Sequence, residues 1–357
     1  MNFNEIFSED IIDEREKKLR GFWNRESDSP RSILQVHNGK EFPVRQIEDD
    51  ETVVKNAINQ MISSRDLSDD YLPWFGPDFG TISTAVYWGG EEVYPEDSCA
   101  YIKPIIYDVD DVERMPNPVD AALKDVRRAK ILRDKVRERI ESDRFWVRSV
   151  DFQGPLSTVG LIWEQTDLFC AMVTDPDLVH KVMQNVTNHL ILMANALKSE
   201  VGPQCGPTWP YVWLPDDIGF GFTEDLMPLM SPNLYKEFGA PYLKQLADAV
   251  GGAFIHCCGE FEHHLPVLKE SGANILGFDY CEPHTRTEAI YDTFGPDLVY
   301  HVGISPQGEK LWGDTAGFIE NHLSKVAAKD MRFYFCVDTD FIDAAERIDV
   351  VKRKMID

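Results

Sequence analysis

Three features of the sequence predict a mostly parallel α/β fold, best fitted by a TIM-like (β/α)8 barrel with an N-terminal extension. Strand candidates at 253–256, 274–278, 298–302 and 332–336 follow one another, each separated from the next by a helix-sized segment, the alternation that builds parallel sheets. Polar residues gather where the runs end: His256 to Cys258 after GAFI, Asp279 after NILGF, His301 after LVY, Cys336 and Asp338 after RFYF. In a barrel these positions converge on the C-terminal mouth, where active sites of that fold lie. A doubly wound sheet is the alternative, but no G-x-G-x-x-G follows any of the strands.

The elements follow in order. Residues 1–70 are highly charged, carry one helix at their start and are expected to pack on the barrel as an extension; 71–357 form the barrel. Asn117-Pro118 opens a helix in which Val119, Ala122, Leu123, Val126, Ala129, Leu132, Val136 and Ile140 recur at helical spacing. A β-like run at 145–152 ends in Gly154-Pro155, and Asp175-Pro176 announces the next helix. A strand ending in YVWL is expected at 211–214, with Asp216 and Asp217 behind it, and Ser231-Pro232 starts another helix.

The chain of 357 residues is 43% hydrophobic, enough for a large core. Its 36 Lys and Arg against 61 Asp and Glu give a net charge of −25, which repels phosphate backbones and anionic membranes. Neither nucleic acid nor membrane is expected as a partner. The N-terminus has no basic segment leading into an apolar one, and no run reaches membrane-spanning length; a soluble, cytoplasmic protein is expected. Seven scattered cysteines suit a reducing compartment, as thiols or metal ligands.

His256 and Cys258 are two residues apart at a strand end, so both side chains face one side. With Cys336 they make one imidazole and two thiolates, a set that favours Zn²⁺ and leaves a fourth, catalytic position open. Spacing alone also allows a buried cysteine beside a hydrogen-bonded histidine. Cys257 faces the other way and is expected to pack.

The stretch FIHCCGEFEHHLPVLKESGANILGFDY, with His256-Cys257-Cys258-Gly259 and the distant Cys336 in FYFCVDTD, resembles the uroporphyrinogen decarboxylase superfamily, in its cobalamin-dependent methyltransferase branch. The resemblance extends to VDFQGPLSTVG, to the stretch 214–246 and to HVGISPQGEKLWGD, a variant of that superfamily's G-N-x-x-P segment. The arginine-rich N-terminal segment of the true decarboxylases has no counterpart in SPRSILQVHNGKEF.

The resemblance implies a coenzyme M methyltransferase-like enzyme of one-carbon metabolism, holding zinc at His256, Cys258 and Cys336. It would move a methyl group from a methylcorrinoid (methylcobalamin) to a small thiol. No D-x-H-x-x-G cobalamin signature is present, so the corrinoid is expected on a partner protein. Asp279, or Glu282 behind it, or water, would fill the fourth zinc position. Asp216 and Asp217 would face the pocket, with Trp209, Tyr211 and Trp213 as its wall, and His301 would hydrogen-bond in the mouth. The alternatives are a metal-independent decarboxylase and a non-catalytic corrinoid-binding accessory protein.

Overall fold

The computed structural model describes residues 7–37, 49–64, 69–77, 80–95, 100–202, 206, 212–304 and 315–338. Its central feature is a six-stranded parallel sheet made of β1 (Ser32–His37), β10 (Arg332–Asp338), β9 (Val299–Ile304), β8 (Ile275–Glu282), β7 (Ala253–Cys257) and β6 (Phe220–Thr223), in that order. Two further strands, β2 (Trp74–Phe75) and β5 (Trp146–Val147), pair parallel to each other. Backbone contacts close the ring at both joins. Gln153 bridges Thr223 in parallel, with Thr223 N donating to Phe152 O at 2.9 Å, and Asp70 N donates to Leu34 O at 2.8 Å.

Hydrogen bonds therefore run round a cycle of parallel strands in chain order, the connectivity of a (β/α)8 barrel. The only described strands outside it are β3 (Glu92–Val93) and β4 (Tyr101–Ile102), an antiparallel hairpin after β2. Helices fill the crossovers: α2 (Asp50–Ser64), α3 (Val119–Ile140), then α4 (Pro155–Ile162), α5 (Gln165–Thr174) and α6 (Pro176–Ala196), α7 (Pro232–Phe238) and α8 (Ala240–Val250), α9 (Leu265–Ser271), α10 (Thr287–Phe294) and α11 (Thr315–Lys329). The apolar periodicity of α3 is buried as the sequence predicts, with Ala122, Val126, Ala129, Leu132, Val136 and Ile140 inside. No described helix is long and apolar enough to cross a membrane.

The segment expected to be an extension divides in two. Ser32–His37 is a strand of the main sheet, registered on β10 from Ser32↔Phe333 to His37↔Asp338, so the barrel begins ahead of the boundary placed at residue 70. A single short apolar run, SILQV, carries too little periodicity to be told from a loop. Before it, α1 (Glu9–Asn24) is capped by Ser8, whose Oγ accepts from Ile11 N, and buries Ile12, Leu19 and Phe22. Each such side chain contributes about 1.5–3 kcal/mol. The Trp23 indole donates to Trp213 O at 2.5 Å, Arg332 donates to Phe22 O at 2.9 Å, and Lys18 pairs with Asp70 at 2.5 Å. All these partners precede or begin strands, so α1 covers the N-terminal end of the barrel.

Strand packing leaves no room for a side chain at Gly277, where a Cβ would meet Val299 O at 2.2 Å and the Phe254 ring at 2.9 Å. The neighbouring backbone of β9 cannot yield without losing its ladder. Gly277→Ala is expected to cost on the order of 1–3 kcal/mol, read as a lowered midpoint in thermal denaturation; an unchanged midpoint contradicts this packing.

Candidate metal centre at the barrel mouth

Strand register assembles the centre. Thr223 pairs with His256, His256 with Asp279, and Asp279 with His301 across β6, β7, β8 and β9. In-register residues of a parallel sheet face the same side, so these side chains share the barrel interior, while Cys257 and Tyr280 face the helices. Cys257 is fully buried as expected, and the Tyr280 hydroxyl meets Thr287 Oγ1 of α10 at 2.7 Å.

Asp279 lies between two imidazoles. One carboxylate oxygen accepts from His256 Nδ1 and the other from His301 Nδ1 at 2.7 Å, with all three side chains buried. Burial works against its ionisation, yet the two histidines hold its carboxyl below the usual range. Burial likewise opposes a charge on His256, but the charge and hydrogen bond of Asp279, reinforced by Cys258 and Asp225, lift it well above the ordinary imidazole value. With Nδ1 committed to Asp279, Nε2 is the nitrogen left to face the mouth.

Facing Nε2 are Asp225, whose Oδ1 is 3.9 Å away, and Cys258, whose Sγ is 3.5 Å from that same oxygen. One donor atom each from Asp225, His256 and Cys258 lie within 4.8 Å of one another. An imidazole nitrogen, a thiol sulfur and a carboxylate oxygen form a donor set suited to zinc. The surrounding acids favour a positive charge on this imidazole. Asp279 is hydrogen-bonded to the far nitrogen of that imidazole, the position carboxylates take behind metal-bound histidines.

Asp225 was not among the residues singled out from sequence. Its signal is the acidic pair in FTED at the end of β6, overshadowed by Asp216 and Asp217. Those two precede β6 and so lie at the opposite end of the barrel. Asp217 pairs with Arg20 of α1 at 3.2 Å, and Asp216 O accepts from Lys198 at 2.7 Å. This corrects their expected place in the pocket: the strand is FGFT at 220–223, not the stretch ending at Leu214. Trp213 moves with them, buried and stacked edge-on against Trp146 at 5.7 Å; Trp209 and Tyr211 lie outside the described residues.

Glu282 is also elsewhere. It accepts from Thr287 N at 2.9 Å at the start of α10 and lies 3.3 Å from His322, so it ties α10 to α11 rather than facing the centre. Cys336 stands on β10 opposite Gln35, half-buried against the core, and is not within the compact donor group. The acid beside Asp225 is Glu224, which is buried and accepts from Ser157 N at 3.2 Å. Burial pushes its carboxyl up to about 8. Gly154 makes room for it, since a Cβ there would come within 2.3 Å of Glu224 Oε1.

Comparison with known proteins agrees with this architecture. A family model described as uroporphyrinogen decarboxylase (URO-D) matches residues 83–299. A methyltransferase from Methanosarcina mazei superposes with a TM-score of 0.66 at 13% identity, over 96% of this chain and 98% of that one. A Listeria monocytogenes structure assigned to vitamin-B12 independent methionine synthase gives a TM-score of 0.48 at 12% identity, over 98% and 94% of the chains. No curated protein sequence matches the chain. At 13% identity the likeness to the Methanosarcina protein concerns the fold.

Asp279 is the largest influence that favours the charge on His256, and Asp279→Asn leaves only Cys258 and Asp225 to oppose burial. His256 of the metal-free protein is then expected to be neutral at pH 7, where the parent is protonated, as read by nitrogen-15 NMR of the imidazole. Stability linked to this protonation is complete below the unfolded-state value of about 6.5 and is lost as pH rises through the higher folded-state value. A protonated His256 in the variant contradicts the assignment.

Proposed function

Because this chain belongs to the uroporphyrinogen decarboxylase family, we propose that it is a zinc-dependent methyltransferase carrying a methyl group from a methylcorrinoid to a small thiol. The observation that carries this reading is the juxtaposition of one donor atom each of His256, Cys258 and Asp225 within 4.8 Å, with His256 Nδ1 anchored on Asp279. A porphyrinogen with many carboxylates would meet three acids here and no matching run of arginines, which weighs against decarboxylation of such a substrate.

His256 and Cys258 would hold the ion, joined by Cys336, whose side chain lies outside the compact group and would have to reach in from β10. Bound zinc lowers the pKa of an entering thiol, so that the substrate reacts as a thiolate at neutral pH. The chain's own residues prepare that step. Asp279 holds His256 in one tautomer and adds electron density to it. Cys258 and Cys336 lower the net charge of the centre, which keeps a bound thiolate nucleophilic, and Asp225 fixes the Cys258 loop by accepting its backbone N–H at 3.3 Å.

The methyl donor would be presented by a separate corrinoid protein docking at the C-terminal mouth. α1 leaves that approach clear, being packed at the other end. Nucleic acid and membrane have no part in this reading, which suits a reducing cytoplasm.

Protein purified without a polyhistidine tag should carry close to one equivalent of zinc and, given methylcobalamin and a panel of small thiols, consume the methyl–cobalt absorbance. Cys258→Ser is expected to lose most of both. Zinc below about a tenth of an equivalent, unaltered by substitution, contradicts the reading.

A further inference from the structure

The register that brings His256 beside Asp279 has a second consequence one step along each strand pair. Cys257 is opposite Tyr280, so the next residues, Cys258 and Cys281, stand side by side where β7 gives way to its loop. Each is two positions beyond a residue whose side chain enters the barrel; Cys258 Sγ lies in the compact group with Asp225 and His256, whereas Cys281 Sγ lies just outside it, over Gly303 of β9. Adjacent strands are about 4.8 Å apart, and two sulfurs on one zinc at 2.3 Å each are separated by about 3.8 Å. A rotamer change that carries Cys281 Sγ from above Gly303 towards Cys258 would bring the two sulfurs to that separation.

We propose that Cys281 is a thiolate ligand of the same centre, closing it at rest and giving way to the substrate thiol; this rests on the zinc reading above. Room for the sulfur is built in. Cys281 is paired with Gly303 of β9, and a Cβ at that position would come 3.2 Å from Cys281 Sγ. Cys281 is half-buried and Cys258 exposed, so both are reachable from the mouth.

Zinc prefers thiolate to carboxylate as a fourth donor in such a set, which leaves Asp225 to hold the Cys258 backbone. Cys281 approaches Cys258 from the next strand, whereas Cys336 must reach from β10, with β8 and β9 between. With His256, Cys258, Cys281 and Cys336 all engaged, the four tetrahedral positions are filled, so the entering thiol takes the place of one protein thiolate.

Full-length protein loaded with cobalt(II) reports its thiolates through sulfur-to-metal charge-transfer absorption. Cys281→Ser should keep the fold, by circular dichroism, and lose about a third of that band, the share of one thiolate in three. In the parent, bound zinc should shield Cys281 from alkylation by iodoacetamide, read by peptide mass spectrometry; this arm stands even if the variant does not fold. A full band in Cys281→Ser, or a Cys281 alkylated equally with and without zinc, overturns the ligand assignment while leaving the zinc reading intact. A parent that takes up neither metal overturns both.

Discussion

A single buried carboxylate organises the mouth of this barrel. Asp279 accepts from His256 on one side and His301 on the other, and an acid so deeply placed stays ionised only because two imidazoles compensate its lost hydration. Its position depends on three strands meeting in one register. A slip of one residue in β8 would turn Asp279 towards the helices and bring Tyr280 into the barrel. The register shift recorded between Ala253 and Phe254, where β7 meets β8, sets the alignment, and Gly277 permits the close approach of β8 to β9.

The two ends of the barrel carry different chemistry. At the N-terminal end the polar contacts serve stability: α1 is held by Trp23 on Trp213 O, Arg332 on Phe22 O and the Lys18–Asp70 pair. Just above it, inside the barrel, Tyr334 donates to Gln35 at 2.6 Å and accepts from Trp213 N at 2.9 Å, and Arg148 lies 4.3 Å above the Trp74 ring. These groups join the strands across the interior. At the C-terminal end, Asp225, His256, Cys258 and Asp279 concentrate acids and soft donors where a cation is favoured.

The alternation of strands with helices, and the bunching of polar residues where strands end, made the later half of the fold and the place of His256, Asp279 and His301 readable in the sequence. What escaped has physical causes. β1 is one short run without amphipathic period, so its residues look like any apolar loop until β10 pairs with them. YVWL resembles a strand more than FGFT does, because aromatic and β-branched residues favour strands and glycine does not, and that preference displaced β6 by several residues. The displacement carried Asp216 and Asp217 to the mouth and hid Asp225 behind them. Cys281 was hidden for another reason: its partner is defined by cross-strand register, which one sequence does not reveal.

On the proposed reading, a zinc ion is held by one imidazole and by thiolates at the ends of the barrel strands. X-ray absorption at the zinc edge of the purified protein should then show sulfur scatterers at about 2.3 Å together with a nitrogen shell at about 2.0–2.1 Å, with the sulfur contribution reduced in Cys258→Ser. A shell of nitrogen and oxygen alone, indifferent to Cys258, would contradict it.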